Sequence, residues 1–199
     1  GLNGNPKIPG DKSISHRSII IPSISNGICE ISNLLKSEDV LHTLNAFKAM
    51  GVKIDEYDNK IIVYGNGLNS LKEPKNEIYL GNSGTSARLL TGLLSSQKFN
   101  SILTGDDSLS KRPMKRISEP LSKMSAHIQT LNGCMPLKIF GNVNLVPNTI
   151  DLKIPSAQIK SGILLASLNT EGKTCVSENR NTRDHTEIML KSFGANIEI

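Results

Sequence analysis

Tryptophan is absent from the 199 residues, and phenylalanine with tyrosine brings the aromatic share to only 4%. Surfaces that stack the bases of single-stranded nucleic acid rest on exposed aromatic rings, so this composition argues against such a partner. Long apolar runs are missing as well. Nothing approaches the roughly 20 residues that a bilayer-crossing helix needs, and the longest early run, Ile19 to Pro22, falls short of the ~7 to 15 residues of a secretory signal core. A folded, soluble, cytoplasmic protein is expected, or one of an organelle after import. Cysteine is scarce: Cys29, Cys134 and Cys175 are odd in number and show no Cys-x-x-Cys spacing. Buried, reduced thiols are therefore expected. His16, His42, His127 and His185 lack metal-ligand spacing, and the glycines around Gly81-Asn82-Ser83-Gly84 and Gly92 form neither a dinucleotide fingerprint nor a P-loop. Neither a metal nor a nucleotide cofactor is indicated.

A formal net charge of +5 and a hydrophobic share of 37% are what remains. A basic chain favours anionic partners. With so few aromatics, small phosphate-bearing substrates fit better than nucleic acid.

The sequence repeats itself. Phe47-Lys48-Ala49-Met50-Gly51-Val52-Lys53-Ile54 has a late counterpart in Lys191-Ser192-Phe193-Gly194-Ala195-Asn196-Ile197 and a weaker middle one in Lys123-Met124-Ser125-Ala126-His127-Ile128. Before each, apolar residues recur at helical spacing: Val40, Leu41, Leu44 and Phe47; Ile117, Leu121 and Met124; Ile188, Met189 and Phe193. Further upstream each copy shows a short strand and then a Ser/Thr-rich helix start, at Lys12-Ser13-Ile14-Ser15, Asn82-Ser83-Gly84-Thr85-Ser86 and Ser156-Ala157-Gln158. Strands are expected between the two helices of each copy, at Cys29 to Ile31, Ser101 to Thr104 and Thr174 to Val176. Hairpins close copy one around Asp58-Asn59 and copy two around Asn132-Gly133. The unit reads strand, helix, strand, helix, strand, strand, over about 11–67, 76–142 and 150–199. The third copy stops one strand short, which reads as a fragment or split product with an open sheet edge. The predicted fold is α/β (α+β), with helices buried inside sheets.

Helix starts carry about half a positive charge and unpaired N–H groups, so they attract anions. Here cations stand beside them: Lys12 and Arg17 at the first start, Lys160 after the third, and Arg112 and Arg183, expected to open the second helices of copies two and three. A cation there opposes the dipole unless an anion lies between, so these positions hint at a ligand. Glu38-Asp39 and Asp106-Asp107 read as caps and first-turn acids, and Arg88 as either an internal ion-pair partner or a ligand contact.

Pro9-Gly10-Asp11-Lys12-Ser13-Ile14-Ser15-His16-Arg17 is similar to the first signature of the 5-enolpyruvylshikimate-3-phosphate synthases. Gly81-Asn82-Ser83-Gly84-Thr85-Ser86-Ala87-Arg88-Leu89 and Lys111-Arg112-Pro113-Met114 resemble two further segments of that family. Ser156-Ala157-Gln158-Ile159-Lys160-Ser161 and Thr182-Arg183-Asp184-His185-Thr186-Glu187 look like its bacterial class II forms. The resemblance implies two similar lobes of three units each, with residues 11–199 forming the N-terminal, substrate-binding lobe and residues 1–10 belonging or linking to the other. It implies transfer of the enolpyruvyl group of phosphoenolpyruvate to shikimate 3-phosphate in the shikimate pathway, on the way to chorismate and the aromatic amino acids, with no cofactor.

Position by position, the resemblance assigns shikimate 3-phosphate to Lys12, Ser13, Arg17, Ser156, Ala157, Gln158 and Arg183. It assigns phosphoenolpyruvate to Lys12, Gly84, Arg112 and Gln158. The acid/base carboxylates of the family lie in the second lobe, so the chain alone is expected to be inactive, with that C-terminal lobe as its partner. Gly84 stands where some class II enzymes carry Ala, and the missing methyl would leave room for glyphosate. Two alternatives stay open. One is the sister transferase of UDP-N-acetylglucosamine, although Ser108-Leu109-Ser110-Lys111 lacks the cysteine it normally carries. The other is a non-catalytic basic binding domain, supported by charge alone.

Overall fold

The computed structural model describes residues 1, 3–6 and 8–199. Helix α1 (Lys12–Ser23) leads into β1 (Asn26–Ser32), α2 (Glu38–Ala49) and the hairpin of β2 (Lys53–Glu56) and β3 (Lys60–Asn66). The middle stretch runs β4 (Ile78–Tyr79), α3 (Gly84–Ser95), β5 (Ser101–Thr104), the short α4 (Asp107–Ser110), α5 (Lys115–Ser122), β6 (His127–Leu131) and β7 (Cys134–Phe140). The last consists of β8 (Thr149–Leu152), α6 (Ala157–Ser167), β9 (Cys175–Glu178) and α7 (His185–Ser192).

The strands form separate sheets in the orders β1-β3-β2, β4-β5-β7-β6 and β8-β9. β4 and β8 pair parallel with β5 and β9, whereas β3 and β7 lie antiparallel to their neighbours, with Cys29 opposite Val63 and Ile102 opposite Lys138. Helices α1, α3 and α6 hold the core between the sheets through Ile19 to Ile21, Leu89, Leu90, Leu93, Leu94 and Ile163, all essentially inaccessible. Ten of the twelve α3 side positions are buried, so burial here covers most of the helix surface rather than one stripe.

Two glycines set how closely α3 and α6 approach. A Cβ on Gly92 would lie 1.9 Å from the Gly162 carbonyl oxygen, and one on Gly162 would lie 2.8 Å from that of Arg88. The helices run in the same direction: Gln158 at the start of α6 bonds Thr85 at the start of α3, and Asn169 beyond one end donates to the Ser96 carbonyl beyond the other.

The ends of α2, α5 and α7 share one geometry. Gly51, Ser125 and Gly194 adopt φ of 85°, 67° and 90°. The next residue's N–H returns to the carbonyl of Phe47, Leu121 or Leu190 at 3.0, 3.1 and 3.0 Å. This is the left-handed cap that glycine satisfies without strain, and after α5 it is made with serine.

Several expectations are corrected. Among the described residues no strand precedes α1. Pro6 and Pro9 lack the N–H that a ladder needs. Residues 195–199 form no strand; β2 and β6 join their sheets through β3 and β7, and no counterpart of those follows α7. The α7 face is also turned. Ile188 and Phe193 are 51% and 41% exposed, whereas Thr186, Glu187 and Leu190 face inward. The cysteines are free but half-buried. Cys134 and Cys175 alternate with the core-facing Met135 and Val176 and so lie on the outer side of their strands. Among the described residues no helix is long and apolar enough to cross a membrane.

Candidate functional site

Three helix starts meet at one place. Lys12 opens α1, Gly84 and Thr85 open α3, and Gln158 lies in the first turn of α6. Together with Asp39, Asn82, Arg88 and Arg112 they line a cleft of about 490 Å³. Each start is capped by a side chain. The Asp11 carboxylate accepts from the Ile14 N–H at 2.8 Å, Ser83 from Ser86 at 3.2 Å and Ser156 from Ile159 at 3.5 Å. The caps satisfy one backbone donor apiece and leave the rest of each first turn facing the cleft.

The cleft is rich in cations. Arg88 donates to the Gly84 carbonyl at 3.0 Å and to Gln158 Oε1 at 3.2 Å, and has no carboxylate partner among the described residues. Its burial, then the neighbouring Arg112 and Arg116, push its pKa below the ordinary guanidinium value. Arginines that repel one another across a cleft create a place for an anion. Arg112 is held by Asn82 Oδ1, and Lys12 by Asp39. A methyl on Gly84 would meet the Nη1 atoms of Arg88 and Arg112 at 2.7 and 2.9 Å, so glycine keeps both guanidinium groups close to the helix start.

Beside the cleft, Arg183 Nη1 donates to Ser13 Oγ at 3.2 Å, which joins the approach to α7 with the start of α1. Ser156 and Ala157, half-buried at the start of α6, complete the set assigned from the sequence. Arg17 stands apart. It is 3% exposed, with Nε donating to Thr186 Oγ1 at 2.5 Å, Nη1 to the Ser13 carbonyl at 2.8 Å and Nη2 to Ser161 Oγ at 2.7 Å. Its charge lies directly behind Ser13, and only the second N–H of each terminal nitrogen lacks one of these bonds.

Arg112 and Arg183 do not open helices as expected. Arg112 lies in the turn between α4 and α5, and Arg183 precedes α7 by two residues. Lys160 does not face a ligand site; its ammonium bonds Glu178 and Glu187. Asp39 and Thr85 were missed as lining residues, and Arg88 was left undecided. Asp39 reads as an ordinary first-turn acid, and only the meeting of α1 with α2 brings it to Lys12. The signal for Arg88 was its place one turn after Gly84, on the same helix face.

Beneath the cleft His16 is wholly buried, its Nδ1 2.7 Å from Thr43 Oγ1, while Thr43 and Ser83 each lie 2.6 Å from Ser86 Oγ. Burial, the largest influence, lowers its pKa to about 4. A neutral imidazole thus ties α1 to α2 and the α3 cap.

The model of EPSP synthase (3-phosphoshikimate 1-carboxyvinyltransferase) matches residues 1–199. A 3-phosphoshikimate 1-carboxyvinyltransferase of Ruthia magnifica is 54% identical over 100% of this chain and 46% of its own length. One of Caldicellulosiruptor bescii is 51% identical over 99% and 46%. The solved EPSP synthase of Acinetobacter baumannii superimposes with a TM-score of 0.96 at 50% identity, covering 98% of this chain and 45% of that one. The chain therefore spans somewhat under half the length of the relatives it matches. Over that whole span, it belongs to the EPSP synthase family.

Proposed function

We propose that this chain forms the N-terminal substrate-binding half of an enzyme that moves the enolpyruvyl group of phosphoenolpyruvate to shikimate 3-phosphate, releasing phosphate, in aromatic amino acid biosynthesis in the cytoplasm. The observation that carries the reading is the convergence of three helix starts with Lys12, Arg88 and Arg112 on one cleft. Two substrates bearing phosphate and carboxylate groups need such a fixed set of N–H donors and cations.

Phosphoenolpyruvate lies on Arg112, Lys12, Gln158 and the open Gly84 start, where the absent methyl also leaves room for glyphosate. Shikimate 3-phosphate lies on Ser13, Arg183, Ser156, Ala157 and Gln158, with Arg17 as a fixed charge behind them. Lys12 stands between the two ligands, and its ammonium leaves Asp39 as an anion arrives. Cations already in place need little rearrangement when charge develops on the leaving phosphate. The acid/base carboxylates and the rest of the phosphoenolpyruvate site come from a C-terminal lobe, to which residues 1–10 link. Of those, Leu2 and Lys7 lie outside the described residues. The chain by itself is inactive on this reading.

Titration of shikimate 3-phosphate into the chain, followed through backbone amide shifts, tests the assignment. Shifts are expected at Ser13, Arg183 and Ser156, and their disappearance in Lys12→Ala and Arg183→Ala. A chain that stays silent even with a matching C-terminal lobe and both substrates would refute the reading.

A further inference from the structure

Lys160, Glu178 and Glu187 form a charged cluster outside the cleft. The Lys160 ammonium lies 2.8 Å from Glu178 Oε1 and 2.8 Å from Glu187 Oε1, with all three side chains at most 12% exposed. Burial alone would lower the pKa of Lys160, but the hydrogen bonds and charges of the two glutamates raise it above its ordinary value. Arg17 is the second cation; burial lowers its pKa, and the charge of Glu187 works against that. Two cations and two carboxylates thus balance inside the junction of α1, α6, β9 and α7.

Such a cluster is a poor choice for stability alone, because apolar residues of the same volume usually pack as well without the cost of desolvation. What the cluster holds is more informative. Glu178 Oε1 also accepts from the Thr182 N–H at 3.0 Å and from the Thr182 hydroxyl at 2.6 Å, which ties the two ends of the loop after β9 together. On the other side Thr186 accepts from Arg17 and shares a 2.6 Å hydrogen bond with Ser161 of α6. Arg183 lies in sequence between these two fixed threonines and donates to Ser13 Oγ.

We infer that the Lys160–Glu178–Glu187 cluster is a positioning device, which fixes the loop of residues 179–184 so that Arg183 faces Ser13 before a ligand arrives. The inference rests on the reading that shikimate 3-phosphate binds at Ser13 and Arg183. Lys160 touches no ligand; it acts through Glu178 and Thr182 on the backbone that carries Arg183. In the first turn of α6 a lysine opposes the helix dipole, and here the two carboxylates offset that opposition. The price of an ordered loop is met in the folded chain, so less entropy is lost on binding.

The test compares the wild-type chain with Lys160→Met, Lys160→Arg and Thr182→Val, measuring shikimate 3-phosphate affinity by amide shifts and hydrogen exchange in residues 179–184. Lys160→Met is expected to weaken affinity about tenfold and to speed exchange in the loop, with the amides of α3 as protected as before. Lys160→Arg, which keeps a cation able to span both carboxylates, is expected to restore most of the affinity. If Lys160→Met does not fold, Thr182→Val gives the same comparison by removing only the hydroxyl bond, with an expected loss of about threefold. Undiminished affinity in the folded variants, or a loss without faster loop exchange, would overturn the inference. A wild-type chain showing no shifts at Ser13 or Arg183 would instead strike at the substrate reading, and the exchange rates would then decide alone whether the cluster holds the loop.

Discussion

The two sides of the helix assembly use positive charge in opposite ways. On the cleft side, Arg88 and Arg112 face each other with no carboxylate between them, and Lys12 is half-exposed against a single aspartate. On the α6–α7 side, Arg17 is buried and Lys160 largely enclosed, bonded to hydroxyls, the Ser13 carbonyl and glutamates of the chain itself. Both sets stand near helix starts, where a cation is unfavourable without an anion. The difference teaches that such a cation points to a ligand when it stays open to a cleft, even beside one acid as Lys12 does, and to the frame when acceptors of the chain enclose it.

The sharpest way to break this comparison is to remove one arginine from each side. Arg17→Met strips Thr186, Ser161 and the Ser13 carbonyl of a buried charged donor and leaves Glu187 with Lys160 as its remaining cation, at a cost of about 3–5 kcal/mol in urea unfolding. Arg112→Met is expected to change stability by less than about 0.5 kcal/mol while abolishing the phosphoenolpyruvate response of the cleft amides. Equal stability losses in the two variants would erase the distinction.

A pH series separates the sides next. His16 is neutral in the folded chain, with a pKa near 4 against 6.5 for an unperturbed histidine. The unfolded chain takes up that proton first as pH falls, so the contribution is complete above about pH 6.5 and is lost on the way down to about 4. The loss is on the order of 3 kcal/mol. His16→Gln is expected to flatten this slope, measured as urea midpoints at pH 7 and 4.5. An unchanged slope would mean that His16 is protonated in place.

The smallest effect concerns the frame alone. Ser125 holds, after α5, the left-handed cap that Gly51 and Gly194 make after α2 and α7. Ser125→Gly is expected to raise stability by about 1 kcal/mol in the same urea experiment, with no change in ligand response. A loss would show that the Ser125 side chain has a role of its own.

Local patterns were legible from the sequence wherever the residues themselves carried them. The strand Ser101–Thr104 was read to the residue, and Ser83 and Ser156 were placed at helix starts because hydroxyls cap N–H groups whatever surrounds them. What could not be read depends on contacts between distant parts of the chain. The apolar spacing of Ile188, Met189 and Phe193 suggested a buried face, but Thr186 faces inward to Arg17, 169 residues away, and Ile188 and Phe193 are left exposed while Met189 keeps a partial contact with the core. Lys160 looked like a ligand contact for the same reason, since nothing in its vicinity along the chain announces Glu178 and Glu187. Arg17 was singled out for standing beside the first helix start, while its depth behind Ser13 became visible only when α1 was packed against α6 and α7.

The crossing of α3 and α6 has one more consequence. Because Gly92 and Gly162 let backbone approach backbone, the separation of α3 and α6 at mid-helix is set by main-chain contact, while Gln158 bridges their starts through Thr85 and Arg88. A single added methyl at either glycine would alter that separation, and would do so from the middle of the helices. The molecule carries a ruler made of main chain, and the two glycine hydrogen atoms are where its length would change.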